Sequence, residues 1–170
     1  MRSSLVVAGL VGVLATLGAC SKPASEPAAA PEAAADAAPA PAPAPADPAK
    51  AALLAALPAP YNTGDLANGQ KVFQLCRSCH TIVEGGANMT GPNLYGLFGR
   101  QVGTVEKFNY SQPVKTAGFT WDAEHLDKWL ADPRGFLPGN RMSFMGVKDA
   151  KDRVDLIAYL KVETGYKPGG

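Results

Sequence analysis

Five consecutive residues, Cys76-Arg77-Ser78-Cys79-His80, concentrate the reactive side chains of this 170-residue chain. Two thiols separated by two residues and followed at once by an imidazole allow four chemistries: a zinc knuckle, a redox dithiol, a disulfide, or covalent attachment of a haem. A structural zinc site takes four ligands, usually from two such pairs. This chain has one pair and one further histidine, His125. A thioredoxin-like dithiol wants a βαβ context, and no run here alternates like a strand over a useful length. A disulfide leaves His80 without a role. The C-x-x-C-H spacing fits attachment of one haem c, in which each thiol adds across a vinyl group and the adjacent histidine faces the iron.

The third cysteine sits in different surroundings. Arg2 is followed by an apolar stretch from Leu5 to Leu17, and Leu17-Gly18-Ala19-Cys20 ends it in small residues before a thiol. Thirteen apolar residues are short for a membrane span and suit an export signal. The ending resembles the bacterial lipobox, in which Cys20 becomes a lipid-modified N-terminus. Residues 1–20 otherwise read as an uncleaved signal anchor or a plain secretion signal, with Cys20 incidental. Both readings place the rest of the chain outside the cytoplasm, where haem c is attached. Cys76 and Cys79 then hold haem, Cys20 holds lipid, and no thiol is left over.

A haem iron bound by His80 needs a sixth ligand or an open position. His125 lies within a predicted helix beside charged residues and reads as an exposed helix histidine. Met89 is too near His80 in sequence to reach the other haem face easily. Met142 and Met145 follow Pro138-Gly139, a turn able to swing a loop back over the iron. Either could be a thioether ligand, or core filling, and spacing alone does not separate them.

The elements that must position these residues are helical. Asp65 can cap a helix whose apolar positions Leu66, Val72, Phe73 and Leu75 lead into the cysteines. Asp122 can cap Ala123–Ala131, with Leu126, Trp129 and Leu130 on one face, and Asp132-Pro133 ends it. A third helix runs from about Asp149 to Glu163, with Gly165 suited to its C-terminal cap. A short helical turn is expected around Asn93–Phe98. Long Gly- and Pro-rich loops fill the remainder: 84–92, 99–120 and 135–148. The class is all-α.

Residues 21–60 differ in kind, with 19 Ala and 10 Pro among 40. No large apolar side chain precedes Leu53 in that stretch, so it cannot offset its ordering entropy. Proline biases it to an extended spacer of up to ~120 Å contour. A turn or two of helix at Ala51–Leu57 would be stopped by Pro58 and Pro60. The organisation is therefore signal and lipobox (1–20), Ala/Pro-rich tether (21–60) and globular domain (61–170). That domain carries 13 Lys+Arg against 11 Asp+Glu, a net +2, so charge does not favour nucleic acid as a partner.

Residues 64–163 are similar to the mitochondrial-type class I cytochrome c family. The resemblance rests on CRSCH, Thr90-Gly91-Pro92-Asn93-Leu94, Gly96-Leu97-Phe98-Gly99-Arg100, Phe108 and Tyr110, Thr120-Trp121, Pro138–Phe144 and Asp155–Leu160, in the family's order and near its spacing. It implies the cytochrome c fold, three main helices with long loops wrapped around one covalent haem. It further implies that His80 and Met142, rather than Met145, ligate the iron. The Pro92 carbonyl would accept the His80 Nδ1 proton, and Gly91 would let that loop approach the haem. Arg100, Tyr110 and Trp121 would surround a propionate, with Trp129 and Asn140 also at the haem. Gly69 and Phe73 would pack the first helix on Leu156 and Tyr159 of the last. Trp129 stands where the family has a tyrosine near the methionine, and Val102 and Val114 stand where it has polar residues.

The implied function is electron transfer, not catalysis, because protein fills both axial positions. The expected protein is a monomer on the periplasmic side of a bacterial membrane. It is held there by its lipid or signal anchor and cycles electrons from a quinol–cytochrome c oxidoreductase to a haem-copper cytochrome c oxidase. Lys71, Arg134, Arg141 and Lys148 keep part of the family's docking ring of cations, whereas Leu75, Met89 and Asp149 replace lysines. The alternatives are a haem with a labile methionine acting as peroxidase or gas sensor, and a dedicated donor to another periplasmic reductase.

Overall fold

The computed structural model describes residues 47–167. The signal-like segment, Cys20 and the Ala/Pro stretch through residue 46 lie outside the described residues. Six helices follow in order: α1 (Pro48–Ala55), α2 (Leu66–Phe73), α3 (Gln112–Thr116), α4 (Ala123–Ala131), α5 (Pro133–Phe136) and α6 (Ala150–Glu163), with a 3₁₀ turn at Tyr61–Thr63 between α1 and α2. Among the described residues the sole strand-like feature is one antiparallel bridge, Gln101 to Thr120.

The three main helices begin at side-chain caps. Asp65 accepts from the Ala67 and Asn68 amides, Asp122 from His125, and Asp149 from Asp152. Each carboxylate satisfies amides that the first turn leaves without partners. Helix α6 ends at Thr164 with Gly165 at φ +74° beyond it, a left-handed conformation that glycine adopts without Cβ strain.

Helix α6 is the axle of the domain. Residues 155 through 162 are all buried, because α2, α4 and α1 pack around it. The tightest approach is at Gly69. A Cβ built there would lie 2.3 Å from the Asp155 carbonyl and 2.6 Å from the Tyr159 Cβ, so only glycine lets α2 sit this close. One turn away Phe73 meets the Tyr159 ring with centroids 5.7 Å apart. Asp155 is buried at this crossing, and it accepts from the Asp65 amide (2.9 Å), Asn68 Nδ2 (2.9 Å) and Lys151 Nζ (2.6 Å). Burial by itself would push its carboxyl up. The hydrogen bonds from Lys151, Asp65 and Asn68 prevail and hold it below the usual carboxylate value. Its contribution to stability is therefore present above the ordinary pKa of 3.8 and fades as pH falls through the depressed one.

The structure departs from the sequence expectations at four places. The stretch 21–60 is not spacer throughout. Asp47 caps α1, and Leu57 is 5% exposed, packed against Ala158 and Val162 of α6. The globular unit thus begins before residue 61, because Leu57 just after α1, with Leu54 packed beside it, docks this segment on an apolar face of α6. Asp132-Pro133 ends α4 and also starts α5, with Asp132 as cap and proline in the first turn, where its missing N–H costs nothing. Pro113 starts α3 in the same way inside the loop expected at 99–120. The segment 93–98 forms turns rather than helix.

Replacing Gly69 with alanine forces overpacking against backbone. The haem-loaded protein is expected to lose roughly 1–3 kcal/mol of stability, read as the shift in denaturant midpoint at constant m-value.

Candidate functional site: a haem-sized cleft

Helix α2 delivers the cysteines. After Phe73 the chain continues in tight turns, with the Cys76 amide on the Phe73 carbonyl (2.8 Å) and the Cys79 and His80 amides both on the Cys76 carbonyl (3.0 Å). These turns bring Cys76, Cys79 and His80 to the wall of a cleft of about 750 Å³. The remaining walls come from the 88–94 loop, the 100–114 region, Trp121, α4 and the 137–144 loop. The volume lies within the usual range of small-molecule and cofactor sites.

His80 is aimed by backbone. Its Nδ1 lies 2.7 Å from the Pro92 carbonyl. A carbonyl only accepts, so Nδ1 carries the proton and the Nε2 lone pair faces away from Pro92. Burial lowers the imidazole pKa below its usual value against the opposing pull of that hydrogen bond, which keeps the ring neutral and fit to ligate a metal. Gly91 packs flat beneath it; a Cβ there would lie 2.3–2.7 Å from three ring atoms. The Gly91 amide donates to the Cys79 carbonyl at 2.9 Å, which clamps this loop to the cysteine turn.

Two asparagines absent from the sequence-level site hold the same loop. Asn88 accepts from the Asn93 amide (2.9 Å) and donates to the Glu106 carbonyl (3.0 Å), while Asn93 donates to Thr81 Oγ1. Their clustering around Gly91-Pro92 was the available signal. Ser111 was missed as well. Its Oγ is buried without a hydrogen-bond partner and lines the cleft, the situation of a hydroxyl waiting for a polar group of a bound molecule.

Arg100, Tyr110, Trp121 and Trp129 all line the cleft. The Arg100 guanidinium donates to the Tyr95 (2.9 Å) and Asn93 (3.2 Å) carbonyls, and no carboxylate pairs with it among the described residues. Burial lowers its pKa and raises that of Tyr110, each opposed by the other group. The main chain holds this corner together, with Trp121 N to Arg100 O (2.9 Å) and Gly99 N to Trp121 O (2.8 Å). Trp121 meets Trp129 edge to face at 5.7 Å.

Met142 lines the cleft, whereas Met145 is 75% exposed and lies away from it. Met89 reaches the mouth and is 48% exposed. Asn140 also lines the cleft, but its amide serves its own loop rather than a cofactor. Nδ2 donates to the Pro133 and Leu137 carbonyls (2.8 Å each), and Oδ1 accepts the Met142 amide (2.9 Å). Asn140 is thus a positioning residue for Met142. Arg141 adds a hydrogen bond to the Asn109 carbonyl across the cleft edge. His125 keeps 37% of its side chain exposed on α4, as a surface helix histidine does, while its ring stacks on Phe119 at 4.6 Å and lies 2.9 Å from Asp122 Oδ1. It does not line the cleft.

The residues present fit a haem. The walls are largely apolar, and burial, with Cys79 adjacent, pushes the Cys76 thiol up to about 11. A half-buried guanidinium without a counter-charge and an unpartnered serine hydroxyl suit the carboxylates of a porphyrin. Gly91→Ala is expected to displace the His80 ring and lower the melting temperature of the haem-loaded protein by roughly 5–15 °C. Calorimetry reads the stability, and the shifted His80 ring resonances locate the cause.

Comparison with known proteins agrees with this geometry. The family model described as Cytochrome c matches residues 66–162, more than half of the chain. A cytochrome c2 from Blastochloris viridis is 47% identical over 109 residues, which cover 64% of this chain and 86% of that one. A cytochrome c from Chlamydomonas reinhardtii is 48% identical over 102 residues, 59% of this chain and 91% of that one. Among solved structures, cytochrome cH from Methylobacterium extorquens is 41% identical with a TM-score of 0.54, covering 58% of this chain and 98% of that one. With its helical fold and its Cys76-x-x-Cys79-His80 motif for covalent haem c, the chain belongs to the cytochrome c family of electron-transfer proteins.

Proposed function

We propose that this protein is a membrane-tethered periplasmic electron carrier whose iron is ligated by His80 and Met142. It would take electrons from a quinol–cytochrome c oxidoreductase and pass them to a haem-copper oxidase. The observation that carries the reading is the selection between the two methionines, since Met142 lines the cleft and Met145 points to solvent at 75% exposure. His80 and Met142 would together hold the iron through protein ligands and leave oxygen or peroxide no site, which favours a carrier over a peroxidase or gas sensor. The haem, once attached, supplies a one-electron couple between ferrous and ferric iron.

The chain's own residues do the rest. Cys76 and Cys79 hold the group, and the Pro92 carbonyl fixes the His80 tautomer. Asn140 sets the direction from which Met142 enters. Arg100, Tyr110 and Ser111 offer donors to buried carboxylates, and Trp121 and Trp129 keep the interior dry.

The cleft mouth supports a particular mode of docking. Arg141 and Lys107 line the cleft, which no Asp or Glu does, and Lys71, Arg134 and Lys148 are exposed elsewhere on the domain, so an acidic partner face is favoured. Leu75 and Met89 are 62% and 48% exposed at the mouth, so part of the contact is apolar and long-range steering is weak. The Leu17-Gly18-Ala19-Cys20 ending supports anchoring at Cys20, which would compensate by raising local concentration at the membrane.

Two measurements test this. The ferric protein is expected to show low-spin His/Met absorption including the weak sulfur-to-iron band, and Met142→Ala to abolish that band while Met145→Ala leaves it. A high-spin wild-type spectrum at neutral pH would overturn the carrier reading. Converting Leu75 and Met89 together to lysine should raise the second-order rate with an acidic oxidase roughly tenfold at low salt, and the gain should vanish as salt screens it. Unchanged rates would sink the docking mode.

A further inference from the structure

The segment 47–60 is spacer-like in composition yet packs as part of the domain. Asp47 caps α1 through the Ala49 amide at 2.9 Å. Lys50 is paired with Glu163 near the end of α6, and Glu163 is largely buried at 21% side-chain exposure. Leu57, 5% exposed, joins Ala158 and Val162 in an apolar cluster separate from that of the haem cleft, with Leu54 and Tyr61 against it. Burial of Leu57 favours the docked segment, and the half-exposed Lys50–Glu163 pair orients it more than it stabilises it.

The side of α6 that receives Leu57 matters. At about 100° per residue, Ala158 and Val162 stand some 160° on either side from Leu160, the α6 residue that lines the cleft. Leu57 is therefore seated on the face of α6 opposite the cleft. Nearby, the Lys161 ammonium, buried in the same helix, lies over the rings of Tyr166 (3.6 Å), Phe98 (4.3 Å) and Tyr61 (5.9 Å). These contacts gather the strap's downstream end, a cleft loop and the C-terminal tail around one cation.

We propose that residues 47–60 are a strap that fixes the entry of the chain to the rear of α6. The strap keeps the cleft mouth clear for redox partners. It also removes fourteen residues from the free tether, about 43 Å of extended contour at 3.1 Å per residue. Its consequence for reach rests on the tether reading above. Its docking does not, and the two can fail separately.

Hydrogen exchange on the full-length holoprotein tests the docking. An isolated helix of eight residues is marginal in water, so slow exchange of the 51–57 amides reports docking rather than intrinsic helicity. These amides are expected to exchange at least roughly tenfold slower than unprotected chain, and Leu57→Asp to erase that protection while α6 amides and the haem spectrum stay as in wild type. Trypsin gives an independent reading, because Lys50 is the sole Lys or Arg between Pro23 and Lys71. Cleavage after Lys50 should be at least roughly tenfold faster in Leu57→Asp than in wild type. Should Leu57→Asp lose its haem spectrum, Lys50→Glu serves in its place, with protection of the 51–57 amides expected to fall and to return when Glu163→Lys is added. Wild-type amides 51–57 that exchange at the unprotected rate, or equal cleavage of the two proteins, would overturn the strap. On anionic-lipid vesicles, failure of the full chain to bind would overturn the anchor, whereas exchange and cleavage alone decide the docking.

Discussion

The approach of α2 to α6 at Gly69 is the constraint on which the rest of this structure depends. Absence of a side chain lets the first helix rest directly on the Asp155 carbonyl and the base of Tyr159. That depth places Phe73 against Tyr159, and the turns after Phe73 then carry Cys76, Cys79 and His80 to the cleft wall. A bulkier crossing would lift α2 outward and swing the cysteines with it. Asp155 reinforces the crossing from below, since its carboxylate is shared between the α2 amide end, Asn68 and Lys151. A buried charge is tolerable only when satisfied this completely.

Around that fixed pair the cleft is built by loops, and short polar connections hold the loops in addition to apolar anchors such as Leu94, Leu97 and Phe144. Asn88, Asn93 and Thr81 tie the histidine side together, while Asn140 and Arg141 tie the methionine side. This division suits an electron carrier. The helices supply the stability of the core, and the loops supply rigid, directional placement of ligands to a group that the chain must hold without rearranging.

The motif CRSCH, the three main helices, the caps Asp65 and Asp122, and the all-α class were legible from residue type and spacing, because each depends on neighbours within a turn or two. The resemblance placed Pro92, Arg100, Tyr110, Trp121, Trp129 and Met142 at one site, and the cleft gathers them all. Less legible were features decided by partners far away in sequence. Ser111 is an ordinary loop residue until its hydroxyl is buried without a partner. Asn140 matches a haem-loop motif, yet its polar atoms are consumed by Pro133, Leu137 and Met142. His125 sits among charges in sequence, but Phe119 and Phe136 reach it from other segments.

The same distinction separates the two ends of the domain. By itself the sequence determined the haem attachment chemistry, the helical class and a break in composition near residue 60, because covalent motifs, capping and periodicity are local. Only the tertiary structure separates Met142 from Met145 by position, since both follow the same Pro-Gly turn and just one lines the cleft. It also drew residues ahead of 61, Leu57 among them, into the packing of the domain. Leu57 in an Ala/Pro stretch has only Leu54 and Tyr61 nearby in sequence to bury against, and its burial is completed only when Ala158 and Val162, a hundred residues later, present the surface that covers it.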